Sequence, residues 1–441
     1  MNQHLRSRFE RRAAFLSLFL SAAALSLRAQ TPPPTPTPTP APGGENPSPA
    51  APDDAKMRAE VERQMKLMEA KRWIVGLSPN GGGAYIKSPD GKVYFRLYGY
   101  AQPIFTLTDA SNAQAFGTTD FRIRRARLDF SVDYDDIWKL FLEIDGQASG
   151  GGTGLVEGYV QSSYVKGRHY LRFGKYISPF STENLRSSRA LDTVERFIAV
   201  NTMFGLPGLD VQFGPMAWGY VDAGHKLTYY AGVFNGNASA AVSTVNGYGG
   251  NARDNNKQKE FQTRLNFQPV KELTIGGAFD YDQELDQNLQ LTSYSGAKLI
   301  AVTVRGKRRG YDADLHWKKE KCSFDAEWLH VDFPDNPNNA HRDVKLHGGY
   351  AQAGYWVTGS EAKGVQGILR GEYAELEGAA VETVRGRTIT AVTAGANIWF
   401  NGWTRLQIDA IEEHVNGNGN GAYTGGSKWR PTLLTELQVK F

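Results

Sequence analysis

A single cysteine, Cys322, stands in 441 residues, so no intramolecular disulfide holds this chain together. Its expected role is that of a small apolar side chain. Long apolar runs are scarce as well: only Ala13 to Leu27, 15 residues, breaks the polar texture, and that is too short to cross a bilayer of about 30 Å comfortably. Arg6, Arg8, Arg11 and Arg12 precede it, and Arg28 and the small Ala29 follow. This is the pattern of a secretory signal peptide cleaved before Gln30. An excess of one charge is also missing. The chain carries 50 basic and 46 acidic residues, and removal of residues 1–29, with five Arg and one Glu, leaves 45 of each. A neutral mature chain offers no footing for a nucleic-acid partner, and any anion preference must come from local clusters.

What is present is unusual for a soluble domain: 48 glycines and 12% aromatics at a mean hydropathy of −0.44. Residues 30–52 repeat Thr-Pro, which favours extended polyproline geometry and cannot build a core. They read as a stiff periplasmic linker. Residues 53–75 switch to a charged helical pattern with Met57, Val61, Met65 and Met68 on a narrow stripe, a short helix and a candidate coiled coil between protomers. The domain 76–441 then changes period to two.

From Val93 to Leu107 the odd positions are mostly apolar, and the even ones include Tyr94, Arg96, Tyr98 and Gln102. The alternation returns in Ala126, Leu128, Phe130 and Val132 against Arg125, Arg127 and Asp129, and again in Leu433 to Phe441. Such dyads of about ten residues mark the strands of a transmembrane antiparallel β-barrel. Sixteen segments qualify, near 93–107, 121–134, 137–147, 154–165, 168–177, 208–214, 225–234, 258–268, 272–283, 309–319, 321–332, 344–358, 364–376, 387–400, 403–413 and 430–441. Their connections alternate between short ones (Asp135-Asp136, Lys166-Gly167, Asn401-Gly402) and long ones (177–207, 235–257, 284–308). Short turns belong to the periplasm and long loops to the outside, which puts both termini in the periplasm and the chain in a Gram-negative outer membrane, in contact with its lipid. Arg125, Asp129 and Gln438 are expected to face water inside the barrel, and Leu128, Phe130 and Leu437 to face lipid. A soluble β-sandwich or propeller shares the period but would hide its apolar face against a second sheet. The last strand ends on Phe441, an aromatic of the kind that barrel-assembly machinery reads.

Two basic clusters are candidate anion sites. Arg122, Arg124, Arg125 and Arg127 crowd one strand; Arg125 and Arg127 share the inner face, while Arg124 points at lipid unless a bulge re-aims it. Arg305, Lys307, Arg308 and Arg309 end the long connection from Glu284. Folded inward, that connection would bring them to a constriction; left outside, they form a solvated charge run. Guanidinium groups suit phosphate or carboxylate oxygens and select anions when confined. The loop 177–207 adds Arg186, Arg189 and Arg196 together with Glu183, Asp192 and Glu195. No Gly-x-Ser-x-Gly elbow or other catalytic constellation appears, so an enzyme is not expected, nor a cofactor or metal.

The stretches Ile123-Arg124-Arg125-Ala126-Arg127-Leu128-Asp129-Phe130 and Leu171-Arg172-Phe173-Gly174-Lys175-Tyr176-Ile177-Ser178-Pro179-Phe180 resemble the phosphate-selective porin O and P family. So do Ser187-Ser188-Arg189 to Glu195-Arg196 and Gly349-Tyr350-Ala351-Gln352 to Val357-Thr358-Gly359. The resemblance runs from about Tyr94 to Phe441. It implies a trimeric, sixteen-stranded, anion-conducting barrel that takes phosphate or polyphosphate, with inward loops carrying arginines and lysines. Its paired arginines fall on Arg124 and Arg125. Its constriction loop corresponds to 284–309, where the bases here gather only at the end. With Arg127, Lys175, Arg186, Arg189, Arg305, Lys307, Arg308 and Arg309, these are the expected pore-lining residues. Asp129, Asp145, Glu157, Asp312 and Asp314 share the inner face, which keeps open the alternative of a weakly selective general porin whose linker also tethers it to the cell wall.

Overall fold

The computed structural model describes residues 54–79, 82–108, 119–148, 152–204, 206, 209–236, 257–295, 299–378, 387–416 and 428–441. The expected signal peptide and proline-rich linker lie outside these residues. Helix α1, Asp54–Ala70, forms where the helical pattern was expected. Its Met57, Val61, Met65 and Met68 are all at least half exposed.

Among the described residues, eighteen strands follow. A hairpin of β1 (Ile74–Leu77) and β2 (Ala84–Lys87) precedes the barrel, which begins with β3 (Val93–Thr108), β4 (Thr119–Tyr134), β5 (Trp138–Ala148) and β6 (Gly152–Val165). Next come β7 (His169–Ile177), β8 (Val211–Tyr220), β9 (Leu227–Phe234), β10 (Glu260–Val270), β11 (Leu273–Gln290) and β12 (Ala301–Lys319). The ring is completed by β13 (Cys322–Asn336), β14 (Arg342–Ser360), β15 (Lys363–Gly378), β16 (Thr388–Asn401), β17 (Thr404–Val415) and β18 (Lys428–Lys440). Each strand from β3 to β18 pairs antiparallel with its neighbour in sequence, and β18 pairs with β3, so the sheet closes into a sixteen-stranded barrel. At the seam the Phe441 N–H donates to the Gly99 carbonyl at 3.0 Å, and the Gly99 N–H donates to the Phe441 carbonyl at 3.2 Å. A Cβ on Gly99 would fall 2.3 Å from the Arg127 carbonyl oxygen, so only glycine fits there.

The polarity is that of a membrane barrel. Leu128, Val160, Phe173, Leu265, Trp328 and Leu437 are exposed on the outer face, while Arg125, Asp129, Arg264, Arg308, Arg370 and Gln438 are buried within. Lipid outside and polar groups inside invert the soluble arrangement. One rim carries tight turns, such as that at Asp135 and Asp136, both with φ of 53°, a left-handed pair that matches the twist of a hairpin. The other rim carries the long connections.

Three segments depart from the strand expectations. Strand β8, expected near 208–214, runs over Val211–Tyr220. The β1–β2 hairpin was not anticipated; β2 pairs with β3 from Tyr94 to Leu97, covering the stretch of edge beyond the end of β18. The long connection expected over 284–308 is largely strand, because β11 runs on to Gln290 and β12 starts at Ala301. A register shift after Glu284 and a φ of 102° at Gly306 interrupt its alternation, which hides the period of two from sequence.

Candidate channel constriction

The connection between β7 and β8 does not leave the barrel. It turns inward as α2 (Thr182–Leu185), a 3-10 turn at Ser188–Ala190 and α3 (Ile198–Met203). Phe180, Val194, Phe197, Ile198, Val200 and Met203 pack in one buried cluster with Leu329, Val331, Phe333, Val344, Leu346 and Leu376 from β13, β14 and β15. Its polar backbone is satisfied by the wall. The Val194 N–H donates to Asp409 Oδ2 at 2.7 Å and the Ile198 N–H to Glu372 Oε2 at 3.0 Å, while Arg405 Nη1 donates to the Leu191 carbonyl at 2.8 Å. Ser181 bonds Glu327, and Arg370 Nη1 lies 2.9 Å from Glu183 Oε1. Backbone inside a membrane barrel is tolerated only with such partners. Residues 293–295 also bend in: Tyr294 Oη donates to the Arg196 carbonyl at 2.8 Å, and Ser293 and Ser295 bond Glu413.

Opposite this plug stands β4. Gln102 pairs with Arg125 but Pro103 pairs with Ile123, so Arg124 is the extra residue of a β-bulge. Pro103 has no N–H to give to the ladder, and a bulge is where a wall strand accommodates a proline. The bulge turns two consecutive arginines to the same side. Arg124 meets Glu195 of the inward loop, and Arg125 Nη1 donates to Gln102 Oε1 at 3.0 Å. Gln102 continues to Gln438 at 2.9 Å, and Gln438 accepts from Arg405 at 3.3 Å. Arg127 meets Glu143, and its Nε lies 3.1 Å from Asp145. Glu436, on the inner face of β18, has no hydrogen-bond partner among the described residues on either carboxylate oxygen.

On the loop, Arg196 is held by the carbonyls of Glu183 and Arg186 at 3.1 and 3.0 Å. Burial, and then the nearby Arg125, push its pKa down to about 10, so it stays charged at neutral pH. Burial also works against the charge of Arg186, but Asp192 and then Asp325 outweigh it and raise its pKa; its Nη2 lies 3.0 Å from Asp192. Arg189 Nη1 is 3.7 Å from Asp129, and its guanidinium lies 4.9 Å from the Tyr98 ring centre. Lys175 is buried, with Nζ donating to the Leu155 carbonyl at 2.7 Å. Toward the tight-turn rim lie two cavities. One, of 410 Å³, is lined by Arg186, Asp192, His316, Asp325 and Trp356; the other, of 360 Å³, by Asp133, Tyr159, Gln161, Arg172 and Trp218.

The second basic cluster is divided by the pleat. Arg308 is fully buried, 2.8 Å from both Glu260 and Asp280 and 3.8 Å from Asp282. Arg305, Lys307 and Arg309 occupy the alternate, exposed positions of β12. The expectation that all four reach a constriction is therefore corrected: a period of two puts residues of opposite parity on opposite faces. Residues 178–204 pack against the inside of the wall, whereas 284–290 and 301–309 belong to strands. Sequence reading missed Arg264, which joins Asp312 at 2.7 Å and also Asp314, and Arg370 and Arg405. Each stands on the polar face of its strand, beside Glu260, Glu372 or Asp409, and the exchange of polar and apolar residues at alternate positions is the signal that could have found it.

Solved structures share this architecture at low identity. OmpT of Vibrio cholerae, with its loop L8 deleted, is 11% identical at a TM-score of 0.55, covering 79% of this chain and 100% of its own. DcaP of Acinetobacter baumannii is 11% identical at 0.51, over 80% of this chain and 99% of its own. OprB of Pseudomonas putida is 10% identical at 0.53, over 80% and 95%. At such identities the likeness shows the fold alone. Among curated proteins none matches. The sequence itself is more specific: the family model of the phosphate-selective porins O and P matches residues 95–434, nearly the whole barrel with its bulged arginine strand and inward loop, and the chain belongs to that family.

Proposed function

We propose that this outer-membrane channel for small solutes prefers anions, phosphate or polyphosphate among them, and acts as a channel rather than an enzyme. The observation that carries the reading is the bulge at Arg124, which turns Arg124 and Arg125 toward Glu195 and Gln102. In this reading the narrowest point lies where the inward loop faces β4. Arg124, Arg125, Arg127, Lys175 and Arg196 supply positive potential there, while Arg186 and Arg189 guide anions on the tight-turn side. Confined guanidinium groups replace part of an anion's hydration shell and raise its local concentration. Arg308 faces three carboxylates, which outnumber it, so it adds no positive potential to the pore. Acids beside the other bases, Glu195, Glu143 and Asp145, make the preference moderate.

The tight turns and both termini face the periplasm, and the linker holds the barrel away from, or tethers it to, the cell wall. The protein works as a homotrimer, in keeping with the trimer form of the V. cholerae OmpT neighbour, and the exposed stripe of α1 adds contacts between protomers. The test is the reversal potential of the purified channel in a potassium chloride gradient, followed by block of chloride current with phosphate. A potential of cation-selective sign contradicts the reading.

A further inference from the structure

Arg305, Lys307 and Arg309 need another role, because they point away from the lumen. We propose that these three side chains form a docking site on the outer wall for an anionic lipid whose headgroup carries phosphate monoesters. The inference rests on the level of the row, its charge and its floor.

Strand β12 has 19 residues, whereas about 9–11 suffice to span the apolar layer. Counted from the tight-turn rim at Lys319, such a span ends near Arg309. Lys307 and Arg305 stand above it at successive steps of about 7 Å, at the depth of headgroups. Tyr311, one step below Arg309 on the same face, is 47% exposed. It lies 5.5 Å from the Phe279 ring and 6.2 Å from that of His330. Aromatic rings of this kind collect at the membrane–water boundary. The register places Tyr281 beside Arg309 and Gln283 beside Lys307, so the cations rise from an aromatic floor suited to acyl chains and sugar faces.

The charge is available. Arg305 Nη1 is 3.7 Å from Asp286, with both side chains about half exposed, a weak surface contact. Among the described residues, Lys307 and Arg309 make no ion pair, although Asp332 is the partner of Arg309 across the ladder. A free phosphate ion gains little from cations spread over an open, hydrated face. A lipid is already held at this depth by its chains, so each cation acts on a phosphate that pays no further entropy to arrive.

The test uses the full chain in detergent micelles and native mass spectrometry, with diphosphoryl lipid A as the probe, phosphatidylcholine as the phosphate-diester control and inorganic phosphate as competitor. The wild-type protein should retain lipid A in preference to phosphatidylcholine, and R305Q/K307Q/R309Q should weaken retention on the order of 100-fold. Single-channel conductance should stay unchanged in the variant, which also shows that the barrel has folded. The single substitution K307Q should weaken retention less. Equal retention by wild type and the triple variant overturns the proposal. So does displacement of lipid A by millimolar inorganic phosphate, or a change in conductance with retention intact, since either makes the row an anion site for the pore. A reversal potential of the wrong sign, by contrast, would overturn the anion reading and leave this site standing.

Discussion

Arg370 of β15 and Glu183 of the inward loop form a buried ion pair, Nη1 to Oε1 at 2.9 Å, with Arg370 also 3.1 Å from Glu372 and 2.7 Å from Thr193 Oγ1. It joins two residues 187 positions apart and fixes where the loop crosses the lumen. Breaking a buried pair by removing one partner costs about 3–5 kcal/mol, because the other charge is left uncompensated. R370Q should therefore loosen the loop: unitary conductance rises, the open-channel current becomes noisier, and thermal unfolding moves down. E183Q/R370Q should recover part of the lost stability. A conductance trace identical to wild type in both variants means the loop is held by its apolar face alone.

Arg308 is predicted to matter for folding more than for permeation. Its single positive charge stands among Glu260, Asp280 and Asp282, all fully buried, and offsets part of their mutual repulsion. R308A leaves three carboxylates facing one another, and the yield of folded, heat-resistant barrel should drop sharply. R308A/D280N should restore part of it, since one of the repelling charges is gone. Wild-type yield of R308A would show that lumenal water screens these acids without help.

The contrast between these arginines shows what sequence conveys here. All sixteen barrel strands were legible, because Leu128, Phe130 and Val132 alternate with Arg127, Asp129 and Ser131 in a way that only a pleated strand explains. The upper half of β12 was not: Arg305, Lys307, Arg308 and Arg309 look like one charge run, and only the register with β11 assigns them to two faces. The bulge was half legible, since Pro103 announces a gap in the ladder but does not say which residue opposite becomes the extra one. The inward course of 178–210 depends on pairs such as Val194 with Asp409 and Arg370 with Glu183, separated by about two hundred positions. No local pattern encodes contacts of that range.

The seam between β18 and β3 predicts the behaviour of the last residue. Phe441 exchanges two backbone hydrogen bonds with Gly99, so deleting it removes the pairing at one end of the closing seam. The truncated chain should be synthesised normally and accumulate less in the outer membrane. G99A should have a similar effect without shortening the chain. Wild-type insertion of both would place closure in the remainder of the seam.

The central claim is that the bulged arginines bias the channel toward anions, and ion selectivity tests it most directly. In a tenfold potassium chloride gradient across a planar bilayer, the wild-type protein should give a reversal potential of anion-selective sign. R124Q/R125Q should move it toward zero, and E195Q, which removes the acid paired with Arg124, should move it further toward the anion limit. A cation-selective wild type, or three identical reversal potentials, would contradict the account.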